Sequence, residues 1–306
     1  MRVSTSGARP GKATGRGGCP ESGCVVNESI ESREVARSER PAMTSLVAVD
    51  RRTGNRDGVH QLPRDRIDAV RPWFTPELPG PVIFAHIRHS GVGRCLVDRW
   101  PEPRVVLAQT SGNYAIRGNP DALDNSAFDD LAGFVEAPSA WEPMLRRIDP
   151  GLAMWNRVVA VLPAAASAPP PDPRVRRLAA SDTEAVGQLH TELSWISDTW
   201  GGAAGLAASG MAWAAFDAGT PVAVAVPFFV GDRFEDIGVV THPAHRRQGL
   251  ARSCASTVVT DIRRRHHTPT WTTSPDNIGS LAVAERLGFV PRMQRPLGGP
   301  HPIPID

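Results

Sequence analysis

DIGVVTHPAHRRQGLARS, residues 236–253, runs from an apolar alternating stretch into a charged turn and straight on into amphipathic spacing. A strand that enters a helix through such a turn is built to hold an anion. The first turn of a helix offers unpaired backbone N–H groups and the positive end of the helix dipole. Gly249, followed two residues on by the small Ala251, lets a diphosphate come close to the backbone. Arg246 and Arg247 add complementary charge.

Upstream, MAWAAFDAGTPVAVAVPFFVGDRFEDIGVVTHP (211–243) reads as three successive strands broken at AGT and VGD. Before it, RVRRLA is a short strand, and SDTEAVGQLHTEL is a helix opened by a Ser181/Glu184 capping box. Between them the Gly/Ala-rich stretch 201–210 is either a weak helix or a loop. Downstream, GLARSCASTVVTDIRRR is an amphipathic helix, TPTWTTS a strand and SLAVAERLG a helix ending at a glycine. The fold class is therefore α/β with a mixed sheet.

Arg246-x-x-Gly249-x-Ala251, the strand before it and DNIGSLAVAERLGF (276–289) some thirty residues later together resemble the GNAT superfamily of N-acetyltransferases. The likeness spans about 120 residues, with elements in the family's order. It implies a direct transfer of an acetyl group from acetyl-CoA to an amine. Arg246, Arg247, Gln248, Gly249, Leu250 and Ala251 would cradle the pyrophosphate, and Val239, Val240 and Thr241 would line the pantetheine arm. Asn277 would bond that arm or simply cap the helix after it. Glu235, eleven residues before Arg246, stands where some members carry a general base. Neighbouring Asp236 is the alternative, because alternation lets only one of the two face the cleft. Where many members place an acidic tyrosine, four residues before the glycine of LGF, this chain has Ala284. Its one tyrosine, Tyr114, would have to reach in from the other half, unless water or another group protonates the thiolate.

That other half is less specific. Residues 1–42 are rich in Gly, Ser, Arg and Glu and are expected to be disordered. A companion domain over 43–162 is expected to contain strands at VIFAHIRH (82–89), GRCLVD (93–98) and RVVLAQTS (104–111), a helix at SAWEPMLRRI (139–148) and a strand at WNRVVAVLP. The Pro/Ala-rich stretch 163–173 is read as a linker, and 174–306 as the acetyltransferase domain. The layout resembles two-part members of the zwittermicin-resistance type, whose first half is a companion or a degenerate copy. One cofactor site per chain is expected, at the turn 246–251.

Bulk composition excludes other classes. A net charge of +2 gives no pull toward nucleic acid. No apolar run of 18 residues and no secretory pattern is present, so a cytoplasmic protein without a membrane span is expected, as a monomer or homodimer. Cys19 and Cys24 lack a second pair at zinc spacing, so no metal is expected. Cys95 and Cys254 read as buried thiols. RRRHH (263–267) complements the end of its helix. Trp195 and Trp200 either wall the acceptor pocket or pack in the core, and Trp271 reads as core. The leading expectation is acetylation of a primary amine on a small molecule. Acetylation of a protein N-terminus or lysine, and a non-catalytic CoA-binding module, are the alternatives.

Overall fold

The computed structural model describes residues 58–128, 133–150, 152, 155–166, 172–297 and 303–304. The expected disorder of 1–42, the cysteines at 19 and 24, and residues 167–171 of the expected linker lie outside them. All described residues belong to one compact unit, Thr53–Asp306.

The first sheet holds β1 (His60–Gln61), β2 (Arg94–Val97), β3 (Val105–Thr110), β4 (Asn113–Gly118) and β5 (Phe134–Glu136), in that order. VVLAQT and NYAIRG form a hairpin around Ser111 and Gly112, with Thr110 opposite Asn113. One face of this sheet carries Tyr114, Ile116, Trp141 and Leu145, the last from helix α2 (Glu142–Ile148).

The other face packs α1 (Ile83–Ser90), which the sequence reading had as a strand. A short apolar run satisfies either period. Here Ile83, Phe84 and Ile87 fall on one buried face. Gly91, at φ 72°, ends the turn by donating its N–H to the Ile87 carbonyl.

The second sheet contains β6 (Trp155–Val161), β7 (Val175–Arg177), β8 (Trp213–Asp217), β9 (Thr220–Val230), β10 (Phe234–Thr241), β11 (Thr268–Thr273), β12 (Val290–Leu297) and β13 (Ile303–Pro304). Their spatial order is β13-β12-β6-β11-β10-β9-β8-β7. β6, read from sequence as the last strand of the first half, is thus inserted between β11 and β12 and pairs antiparallel with both. The Pro/Ala stretch after it connects two strands of one sheet.

Helix α5 (Leu250–Arg264) covers one face through Cys254, Val258 and Ile262, which pack on Ala223, Ala225, Ile237 and Trp271. Helix α6 (Ile278–Arg286) joins that layer through Ala284. The opposite face is covered by α3 (Thr183–Gly187), the 3₁₀ segment Thr191–Trp200 and α4 (Ala203–Ala208). The expected capping box is displaced by two residues, since the Asp182 carboxylate, not Glu184, folds back onto the Ala179 N–H.

The first half grips the second through the β9–β10 turn. The Glu77 carboxylate accepts the N–H groups of Asp232, Arg233 and Phe234 at 2.8, 2.8 and 3.0 Å. Arg71 and Arg88 both reach Asp232. His86, fully buried, donates from Nε2 to the Thr199 carbonyl at 2.8 Å and accepts the Val230 N–H at Nδ1. None of these grips was anticipated from sequence, because each joins residues more than a hundred positions apart.

Candidate functional site

β10 pairs parallel with β11 only over Phe234–Asp236, opposite Thr268–Thr270. Beyond that point β11 continues against β6, while β10 keeps β9 as its ladder partner. The two central strands therefore part after Asp236. The backbone edge of β10 from Ile237 to Thr241, which includes Val239 and Val240, has no ladder partner on that side among the described residues. At its end the Thr241 hydroxyl is buried with no hydrogen-bond partner among the described residues. A buried polar atom left unpaired beside an open strand edge has capacity for a hydrogen bond from a ligand or water.

The chain then enters the turn singled out in the sequence. Arg247 and Gly249 take left-handed conformations, φ 63° and 79°, and α5 begins at Leu250 with no side-chain cap. A Cβ on Gly249 would meet nothing within 4 Å. Glycine is required there by its backbone angle and leaves open space above it. The N–H groups of Leu250, Ala251 and Arg252 donate to no acceptor among the described residues. Arg246, Arg247 and Gln248 are exposed around them. The residues present thus fit an anionic diphosphate, with free amides and the helix dipole at an uncrowded turn flanked by the exposed Arg246 and Arg247. Asn277 caps α6, its Oδ1 accepting the Ser280 N–H at 3.2 Å, so the capping role is realised.

Glu235 is not placed as expected of a base. It shares a face of β10 with Ile237, toward α5, and is fully buried. Arg265 donates to both its carboxylate oxygens, at 2.9 and 2.6 Å, and His267 Nδ1 lies 2.8 Å from Oε1. RRRHH, read as cations complementing the end of the helix, supplies that pair. Its Arg263 meanwhile holds the Pro163 and Ala166 carbonyls. Asp236 turns to the opposite face, where its Oδ1 accepts the Thr270 and Thr272 hydroxyls at 2.8 and 2.9 Å.

Tyr114 does not reach across. It packs with Val105, Leu107 and Trp141 in the core of the first sheet, and its hydroxyl accepts from Gln109 Nε2. Ala284 is buried among apolar residues and offers no acid. Trp200 is core, donating to the Pro227 carbonyl, and Trp195 packs edge-on to Phe228. Cys95 and Cys254 are free and buried, and burial pushes both thiols up to about 12.

One carboxylate escaped the sequence reading. Asp198, on the 3₁₀ segment Thr191–Trp200, is half-buried, and its side chain has no hydrogen-bond partner among the described residues. Desolvation raises it to about 6.

Residues 79–294 match the family described as GNAT acetyltransferase. An uncharacterized N-acetyltransferase encoded in the mutA 5′ region of Streptomyces virginiae is 36% identical over 212 residues, which is 68% of this chain and 90% of that one. In shape, a GCN5-related N-acetyltransferase-like protein from Streptococcus suis aligns with a TM-score of 0.58 at 16% identity, over 76% of this chain and 97% of the other. A GNAT-family acetyltransferase from Colwellia psychrerythraea aligns at 0.50 and 10% identity, over 78% and 97%. No helix among the described residues is long and apolar enough to cross a membrane. The parted strands, the open glycine turn and these matches agree: the chain belongs to the GNAT acetyltransferase family and is an acyltransferase.

Proposed function

We propose that this enzyme transfers an acetyl group from acetyl-CoA directly to a primary amine of a small molecule. The observation that carries the reading is the unpaired edge of β10 leading into the turn at Gly249. In this reading the diphosphate lies over Arg246–Ala251, and the pantetheine runs along Val239–Thr241. The amides of Val239 and Val240 lie near the thioester carbonyl, as donors toward charge that develops there. Asn277, its oxygen spent on the cap, keeps an amide NH₂ for the same arm.

A small acceptor is favoured because the first half of the chain covers the side of the sheet from which the amine would approach. His86, Ser111 and Glu77 all bond across to the second sheet or the segment lying on it. A polypeptide acceptor would need an open groove there.

The test is release of CoA thiol from acetyl-CoA by a panel of primary amines, with products weighed by mass spectrometry. Turnover of one or more amino sugars, amino-acid derivatives or diamines is expected, and Gly249→Glu should abolish both turnover and acetyl-CoA binding. Tight acetyl-CoA binding with background turnover on every amine would overturn the reading.

A further inference from the structure

The contacts around the parting strands join end to end. Asp198 receives the Ser111 hydroxyl on its backbone carbonyl at 2.6 Å, and Ser111 in turn receives the Asn113 amide. Asn113 pairs with Phe134, over whose ring the Arg157 guanidinium sits at 5.4 Å. Arg157 reaches Ser274, just past the end of β11, and on β11 Thr272 donates to Asp236. Asp236 pairs with Phe229, and the neighbouring Phe228 carbonyl accepts the Thr199 hydroxyl, which returns to Asp198.

This circuit passes through both sheets and through the point where β10 and β11 separate. Most of its members are only half-buried, whereas the apolar side chains behind them are closed off. It is a ring of contacts, partly open to solvent, that passes the point where the two strands part. Four acidic side chains lie on or near it. Glu235 is spent on Arg265 and His267 on the far face. Glu136 pairs with Arg117. Asp236 is buried beneath two hydroxyls. Among the described residues, Asp198 alone of the four has a carboxylate with no hydrogen-bond or ion-pair partner, on a segment whose other side chains, Ile196, Thr199 and Trp200, anchor into β9 and β10.

We infer that Asp198 is the group that takes the proton from the acceptor's ammonium, in place of Glu235. This rests on the reading of the chain as an amine acetyltransferase. The carboxylate removes one proton from R–NH₃⁺, and the freed lone pair attacks the thioester carbonyl carbon. The C–N bond forms, the C–S bond breaks, and the bonding pair leaves on sulfur. The second nitrogen proton passes to that thiolate, so CoA departs as the thiol without a dedicated acid such as tyrosine. Asp198 then returns its proton to water. Its desolvated setting suits the task, because a proton acceptor poised near the working pH is both ionised and basic enough to act.

The test compares wild type with Asp198→Asn on acetyl-CoA and a primary amine the wild type acetylates, across pH 5 to 9. Expected are an acidic limb near pH 6 in the wild type, its loss in Asp198→Asn, and a fall in kcat of about a hundredfold or more. Acetyl-CoA affinity, read by tryptophan fluorescence, should stay within about threefold of wild type. Carbon-detected NMR of wild-type side-chain carboxyls, with the variant identifying the resonance, should place Asp198 well above ordinary aspartates. An unchanged limb and kcat in the variant, or an Asp198 resonance titrating like an exposed aspartate, overturns the inference and leaves the enzyme reading intact. A wild type that acetylates no amine fails at the earlier step.

Discussion

Lowering the pH should weaken the grip between the two halves of the chain at His86, by an amount the structure allows to be worked out. The ring is fully buried, donates from Nε2 to Thr199 and accepts the Val230 N–H at Nδ1. Charging it would require a second donor at Nδ1, where another N–H already points. Burial is the largest cause of its depression to about 4, from 6.5. Because the folded value is the lower one, the unfolded chain binds more protons between these limits. Stability is therefore complete above about pH 6.5 and is lost as pH falls toward 4. The shift of 2.5 units amounts to about 3 kcal/mol in all, of which about 2 kcal/mol is lost between pH 7 and pH 5.

The assay is urea unfolding at those two pH values for wild type and His86→Gln. Glutamine can keep a donor and an acceptor in place but does not titrate. Asp198, raised rather than lowered, titrates in the opposite sense and contributes equally to both proteins, so it cancels in the difference. The wild type should lose about 2 kcal/mol more than the variant between pH 7 and pH 5. Equal losses in the two proteins would refute the reasoning.

Two further predictions rest on side chains that sequence inspection passes over. Glu77→Ala removes a carboxylate from three backbone N–H groups in the β9–β10 turn and should cost about 1–3 kcal/mol in urea unfolding. Gly231→Ala should cost a similar amount, about 1–3 kcal/mol, since its Cβ would stand 2.6 Å from Glu77 Oε1 and 2.7 Å from the Phe234 carbonyl. Stability within a few tenths of wild type for both variants would show that the clamp contributes nothing. Cys95 and Cys254, their thiols pushed up to about 12, should resist iodoacetamide at pH 8 in the folded protein and react on unfolding. Peptide mass spectrometry reads each site, and rapid native alkylation of either would contradict its burial.

The parts of the molecule legible in the sequence are those written in contiguous residues. The β10–turn–α5 passage is one: alternation, a glycine at a left-handed position and a helical stripe all lie within 236–264, and local physics decides them. The order of strands and helices after residue 175 is another. The helix at Ile83–Ser90 was not legible, because eight residues of mixed apolar character fit both periods and only packing beneath the first sheet selects one.

The two carboxylates of β10 show the same division more sharply. Alternation required Glu235 and Asp236 to face opposite sides of β10, and they do. Which side each takes depends on the parting of β10 from β11 and on Arg265 arriving from the end of α5, neither of which is a property of the strand itself.

β6 carries this argument furthest. Its alternating residues announce a strand, and the Pro/Ala stretch after it announces a break, so a sequence reading assigns it to what comes before. Strand pairing obeys backbone geometry, however, and between β11 and β12 the β6 backbone satisfies ladder hydrogen bonds on both edges. One consequence is functional. β6 carries Arg157, and Arg157 bridges Phe134 of the first sheet to Ser274 at the end of β11. The strand that ties the halves together thus also belongs to the ring of contacts in which Asp198 stands. On the proposal that Asp198 takes the proton, the acceptor site draws on residues outside 174–306, because the contacts that hold that segment include Ser111, Asn113, Phe134 and Arg157. On that proposal the first half is a structural component of the acceptor site, and what it would add to the enzyme is the shape of the space in which an amine meets the thioester.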